Sequence, residues 1–383
     1  MSREIVSRSD SGRYRVVTVV GARPNFMKAA PIERALFSRP AVEHLLVHTG
    51  QHYDQAMSSV FFEELGLREP ARHLGVGSGR HGEMTGKIMI AFEQACLELE
   101  PDLVVVVGDV NSTVAAALVA RKLFVPVAHV EAGLRSFDES MPEEHNRRLT
   151  DHLSNLLFAS EPSAVTNLNR EGIDSDRVHL VGDIMLETLQ GFLPRIRERR
   201  RWEELGLAKG CYSLATIHRP SNVDDPRSLE ETVRLLRLVP GPTVFPVHPR
   251  TVASLEKFGL TGLLHDIPGM VTLAPEPYLE FVSLLEGARV VITDSGSIQA
   301  EASLFDVPCL VCRENTERPI YVEQGTTELV GRDVEKFREA FEKMASGQFK
   351  KSAPMVSTLG LHVAEKIAEI MVDYLTAGHK SSL

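Results

Sequence analysis

The chain has 383 residues, of which 43% are hydrophobic and 25% charged, with a formal net charge of −10. That length supports two or three domains with full cores, and the composition is ordinary for a soluble globular protein. The acidic balance argues against a nucleic-acid partner, whose binders carry a basic surplus, and no apolar run reaches the roughly 18 residues that span a bilayer. The opening MSREIVSRSDSGRYR lacks the apolar core of a signal peptide, so residues 1–12 read as a flexible tail and the protein as cytoplasmic. Four reduced cysteines are expected there. Cys309 and Cys312 have CxxC spacing, but they lie in the apolar strand PCLVC, where residues three apart point to opposite faces, so no shared metal is expected.

Short apolar strands alternate with helices along the first half. YRVVTVV is a strand, the loop GARPNFMK opens a helix through Leu36, and HLLVHTG is a second strand. Met57–Gly66 is amphipathic and His81–Leu97 reads as a helix. LVVVV is too short and too rich in Val for a helix; Asn111-Ser112-Thr113 after it forms an N-cap cluster for an Ala-rich helix. VPVAHV, LLFAS and VHLVG complete the strands, and Pro142 marks a helix start. A helix over Asp183–Glu204 follows, its Arg-rich end reading as a solvated face. The alternation then restarts with CYSLATIH, TVFPVH, MVTLAPEP, RVVITD and VPCLVC, and ENTERPIYVEQGTTELVG reads as loop. This βαβα order predicts α/β architecture: two Rossmann-like doubly wound domains, 13–184 and 185–359, facing across a cleft. The closing helix, 360–376, is expected to pack back on the first.

Ligands of open parallel sheets sit beyond the strand C-termini, and that is where the chemistry-bearing residues collect. Asp109, Glu131 and Glu143 follow strands of the first half and read as an acid/base centre. Gly21-Ala22-Arg23-Pro24 through Lys28 follows a strand and opens a helix, so it reads as an anion loop whose glycine admits a ligand. In the second half Ser295-Gly296-Ser297 opens a helix, a place for a diphosphate, and Glu301 one turn on is placed to accept ribose hydroxyls. His218, Arg219, His248 and Arg318 add phosphate contacts, and His52 reads as a substrate contact, whereas His129, inside a strand, reads as core.

The motifs GxRPxxxK, TGQH, GDxxST, HVEAGLRS, PEExNR, HR, HPR, DSGxxQxEA and TERP occur in this order over about 320 residues. Together they resemble the non-hydrolysing UDP-N-acetylglucosamine 2-epimerase family, of glycosyltransferase-B fold. The resemblance implies interconversion of UDP-GlcNAc and UDP-ManNAc by anti elimination of UDP, a bound 2-acetamidoglucal, and re-addition, with product directed to surface polysaccharide. It implies a UDP-sugar partner, a homodimer, and neither metal nor cofactor. It implies catalytic roles for Asp109, Glu131, Glu143 and His218, and binding roles for Arg23, Lys28, Arg135, Arg147, Ser295, Gly296, Glu301 and Arg318. Three motifs depart from the common family form: Asn25 and Ser221 each replace an acid, and Tyr53-Asp54 alters the segment linked to activation by a second UDP-GlcNAc. Alternatives of the same fold are a 2-epimerase of UDP-diacetamido-uronic acids and a glycosyltransferase; the latter needs an acceptor site and makes the three acids partly redundant.

Overall fold

The computed structural model describes residues 12–51 and 65–378. The expected tail, most of the expected helix Met57–Gly66, and His52 lie outside them. The described residues form two compact units, one running to Thr188 and resuming at Leu359, the other spanning Leu189–Thr358.

The first unit is a parallel sheet of β1 (Tyr14–Val20), β2 (Val42–His48), β3 (Arg72–His73), β4 (Leu103–Val107), β5 (Val127–Ala132), β6 (Leu156–Ala159) and β7 (Val178–Leu180). The strand order is β3-β2-β1-β4-β5-β6-β7. Its helices are α1 (Arg23–Phe37), α2 (His81–Leu99), α3 (Asn111–Lys122), α4 (Pro142–Leu153) and α5 (Pro162–Arg170), and α6 (Ile184–Arg199) begins in it and continues into the second unit. The reason for the unbroken LVVVV run is visible in β4. Leu103, Val105 and Val107 enter one core with Ile32, Phe158, Ile367 and Met371. Val104 and Val106 enter the opposite core with Phe92 and Ala116. Both faces of the strand are dry, so no polar alternation appears. Ile367 and Met371 belong to the closing helix Val363–Thr376, which packs on the first unit, its entry held by Glu187 accepting from the Ala364 N–H (2.7 Å).

The second unit repeats the plan with β8 (Ser213–Thr216), β9 (Thr243–Pro246), β10 (Met270–Leu273), β11 (Val290–Thr293), β12 (Cys309–Val311) and β13 (Thr327–Leu329), in the order β10-β9-β8-β11-β12-β13. The helices that matter below are α7 (Pro226–Arg237), α8 (Pro249–Lys257), α9 (Tyr278–Gly287) and α10 (Gly296–Leu304). In each sheet the order reverses beside the first strand, between β1 and β4 and between β8 and β11. That is the topological switch point, where connections leave in opposite directions and open a crevice.

Three local expectations change. The segment expected as loop contains a short helix, Pro319–Glu323, and the edge strand β13, whose three residues are too few to register as an apolar run. The basic helix breaks at Arg200, which takes a left-handed conformation (φ 44°), before a short turn at Arg201–Glu204. Asn111, Ser112 and Thr113 occupy the first turn of α3 rather than its cap; the cap position is Val110, and the Gln51 side chain does the capping by accepting from the Ser112 N–H (3.0 Å) and hydroxyl (2.7 Å).

Cys309 lies in one core of the second unit and Cys312 in the other, the opposite facing that a strand imposes. Burial pushes the Cys96 and Cys309 thiols up to about 12, and Cys312 higher still, whereas Cys211 is exposed. A thiol-specific chromogenic reagent is expected to titrate one cysteine in the native protein and all four after unfolding. Rapid native labelling of more than one would contradict this packing.

Candidate active site

In the first unit the acids converge through backbone geometry. Gly108, directly after β4, has φ +69°, and a Cβ there would lie 3.6 Å from a Glu131 carboxylate oxygen and 3.1 Å from the Lys28 ammonium. The glycine is therefore favoured by its dihedral, and a Cβ there would also press on the Lys28 ammonium. Glu131 itself has φ +69°, where β5 slips register against β6 between Val130 and Ala132. A non-glycine residue in that region costs about 1–3 kcal/mol and persists only where the surroundings hold it. Its carboxylate is buried and ion-paired with Lys28. Asp109 follows Gly108 and is more open, its side chain 35% exposed, and accepts from Arg147 at 2.6 Å. Lys28, expected as a phosphate contact, thus stands with the acids.

Arg147 is held as tightly. It donates to Ser136 (3.2 Å), to Asp109, and to Glu144, which is fully buried and also accepts the Ser136 N–H (2.9 Å). Burial pushes the Glu144 carboxyl upward, but the Arg147 and Ser136 donors outweigh it and hold it below the ordinary value. Arg147 therefore sets Asp109 in place. Glu143, the preceding residue in the first turn of α4, is half-buried.

The Arg135 side chain, expected as a substrate contact, is fully buried, pairing with Asp151 (2.7 Å) and Glu171 (2.8 Å) and donating to the Leu134 carbonyl (2.8 Å). His129 is buried as expected, though it is polar-bonded at both ring nitrogens, to Asp151 (2.7 Å) and the Gly108 carbonyl (2.8 Å).

The glycine of the Gly21 loop has a different reason from the one expected. A Cβ at Gly21 would collide with the Ser112 hydroxyl and sit 2.6 Å from that of Thr49, so protein packing forbids a side chain. Asn25 stitches the same loop: its carbonyl accepts from the N–H groups of Gly21 (3.1 Å) and Ala22 (3.0 Å), and its amide donates to the Val107 carbonyl (3.0 Å). A carboxylate at 25 would make the first two bonds and not the third. Arg23 opens α1; its side chain lies outside the described structure.

In the second unit, the residues after β8 and β11 meet at the switch point around Asp294. This carboxylate is fully buried and accepts from the N–H groups of His218 (3.0 Å) and Arg219 (2.8 Å) and from the Asn222 amide (3.0 Å). The His218 ring presents Nδ1 to it at 3.2 Å. Burial pushes His218 below the ordinary imidazole value; Asp294 pulls it up, and Arg219, Arg250 and Arg313 push it down again. The ring is therefore neutral near pH 7 with its proton on Nδ1, and Nε2 is an acceptor. Ser295 is the N-cap of α10 without a side-chain cap, its hydroxyl 3.2 Å from that of Ser297. A Cβ at Gly296 would collide with Glu317, which pairs with Arg313 (2.8 Å) and lies 3.9 Å from Arg219. Glu301 is buried and accepts from the Tyr278 hydroxyl (3.2 Å), and Arg318 is buried nearby in sequence to Glu317. His248 is exposed and caps α8 through its Nδ1, with its ring 5.1 Å from that of His218; Arg250 is paired with Asp224.

Asp294, Glu144, Glu317 and Gln51 stand within the motifs DSGxxQxEA, PEExNR, TERP and TGQH, but sequence alone assigns them no role of their own. Asp294 carried a signal, an acid ending a strand opposite His218; the others act across long separations that spacing does not reveal. Among the described residues no cluster of metal-ligating side chains is found, and no helix is long and apolar enough to cross a membrane.

Comparison with known proteins gives a consistent result. The model of the family described as UDP-N-acetylglucosamine 2-epimerase matches residues 34–372. A Methanocaldococcus jannaschii protein named UDP-N-acetylglucosamine 2-epimerase is 43% identical over 335 residues, covering 85% of this chain and 91% of the relative. A Pseudomonas aeruginosa protein named UDP-2,3-diacetamido-2,3-dideoxy-D-glucuronate 2-epimerase is 41% identical over 323 residues, covering 83% and 88%. The crystal structure of the M. jannaschii UDP-GlcNAc 2-epimerase in complex with UDP-GlcNAc and UDP superposes with a TM-score of 0.84 at 39% identity, covering 94% of this chain and 99% of that one.

Replacing Arg147 with Met leaves Glu144 to Arg148 (3.6 Å) and the Ser136 and Phe137 donors and removes its shortest ion pair; the loss is expected to approach the roughly 3–5 kcal/mol of a broken buried pair, measurable by urea titration. Because the Glu144 value is lowered on folding, its contribution in the unaltered protein is complete above pH 4.5 and is lost as pH falls through the folded value. The gap between the two proteins should therefore narrow on acidification; a gap independent of pH would refute this account.

Proposed function

The chain belongs to the UDP-N-acetylglucosamine 2-epimerase family, and from that premise we propose that it interconverts UDP-GlcNAc and UDP-ManNAc through elimination and re-addition of UDP. The observation that carries the proposal is the placement of the Glu131 carboxylate against Gly108, next to Asp109, on backbone held in a strained conformation.

The chemistry asks for what these residues offer. One carboxylate removes the C2 proton; the C2–H electron pair becomes the C1–C2 double bond, and the C1–O pair leaves with UDP. A second acid returns a proton to C2 on the opposite face while UDP re-adds at C1. Asp109, Glu131 and Glu143 are the groups for these transfers. Lys28 pairs with Glu131 and Arg147 with Asp109, which fixes where the two carboxylates lie. The departing diphosphate is assigned to the N-terminus of α10 with Ser295, Gly296 and Ser297, and to Arg219 and Arg318. Fixed donors aimed at developing charge are among the largest contributions to catalysis. Glu301 is assigned to the ribose hydroxyls. His218, its Nδ1 turned to Asp294, is assigned to the diphosphate through Nε2, the ring nitrogen that Asp294 does not engage.

The relative acting on a diacetamido uronate supports a second reading, the same C2 inversion on that sugar. We also propose a homodimer. Ile90 (74% exposed) and Leu97 (53%) lie seven residues apart on one face of α2, an apolar pair suited to a second copy. The unaltered protein should sediment as a dimer and the I90E/L97E variant as a monomer; a monomeric unaltered protein would refute the dimer.

A proton NMR time course with UDP-GlcNAc in D₂O is expected to show UDP-ManNAc appearing with deuterium at C2. D109N should slow this by about 10²–10⁴-fold. UDP-GlcNAc that stays intact and fully protonated while the diacetamido uronate exchanges would select the second reading.

A further inference from the structure

Behind the acids lies a buried charged group that proton transfer does not use. Asp151, in the last turn of α4, has a fully buried carboxylate. One oxygen accepts from His129 Nδ1 at 2.7 Å; the other accepts from Arg135 at 2.7 Å and from the Gly133 N–H at 3.1 Å. These partners stand two residues before, four after and two after Glu131, so one side chain grips the left-handed turn at Glu131 on both sides. Gly133 has φ +81°, and a Cβ there would lie 2.5 Å from the Ala164 carbonyl, so this turn has little room to shift.

The grip extends to the other acid. His129 Nε2 lies 2.8 Å from the carbonyl of Gly108, the residue that leads into Asp109. A carbonyl only accepts, so Nε2 carries a proton, and Nδ1 faces a carboxylate. Arg135 in turn is closed off by Glu171, which His152 approaches at 3.4 Å. Burial pushes Asp151 upward, but His129 and Arg135 outweigh it and hold it below the ordinary carboxylate value, so it acts as a charged acceptor.

We propose that Asp151 and His129 are positioning residues for the reaction: Asp151 holds Glu131 in its strained turn, and through His129 it fixes the Gly108 carbonyl that aims Asp109. The inference rests on the assignment of Glu131 and Asp109 as the acid/base pair. A change that loosens the turn displaces both carboxylates from C2 and leaves the UDP site of the second unit untouched.

The test uses the full chain with D151N, H129A and H129Q. It reads kcat for epimerisation, deuterium entry at C2, and UDP affinity by calorimetry, each per mole of folded protein. D151N is expected to lower kcat and C2 exchange together by about 100-fold, the scale of an ångström-level misplacement, with UDP affinity unchanged. H129Q, which keeps a donor for the Gly108 carbonyl, is expected to recover part of the activity that H129A loses. Folded D151N with unaltered kcat would overturn the proposal. If D151N does not fold, equal activities of H129A and H129Q would overturn it. An unaltered protein that neither epimerises nor exchanges either UDP-sugar would instead overturn the parent reading, and this one with it.

Discussion

Helix α4 carries the charges on which the acid centre depends. Its first turn supplies Glu143 and Glu144, its middle supplies Arg147, and its end supplies Asp151. Arg147 reaches Asp109 beyond β4, and Asp151 reaches Gly133 just beyond β5, at the end of the strand that holds Glu131. Buried charges are tolerated only when paired and fully hydrogen-bonded, so each pairing is also a geometric restraint. Moving α4 would strand at least four charged side chains at once.

The second unit solves the analogous problem with one acid instead of a helix. Asp294 collects two backbone N–H groups, an amide and a ring nitrogen from the segment after β8. This ties the ends of β8 and β11 together at the switch point and sets the tautomer of His218. Asp109 and His218 both follow a strand that borders the reversal of strand order in its unit, and each unit has a buried carboxylate bracing the segment around it.

Asn25 shows how a replaced acid can be a fitted residue. With Glu131 ion-paired to Lys28 alongside, a further carboxylate at 25 would add a buried charge; the amide instead makes three bonds, including one to Val107 that needs a donor. Gly21 shows the reverse, a residue whose presence was legible and whose reason was not. It reads as room for a ligand and proves to be room for Ser112 and Thr49.

The strands of both sheets apart from β3 and β13, the helix starts at Pro142 and Gly296, and the strand-end positions of Asp109, Glu131, His218 and Ser295 could be read from sequence, because apolar runs, capping residues and period are local properties of the chain. The roles of Arg135 and Arg147 could not. The two arginines sit in neighbouring motifs with similar surroundings in sequence. One is sealed between Asp151 and Glu171 and the other presented to Asp109. Which of these happens depends on the burial of partners 16 to 38 residues away, and burial is decided only when the strands pair and the helices pack. The same holds for β13, too short to show a period, and for the cap of α3, supplied by Gln51 from another strand end. Local chemistry determined which residues stand at the strand ends; tertiary packing decided which of them are sealed inside the protein and which hold the others in place.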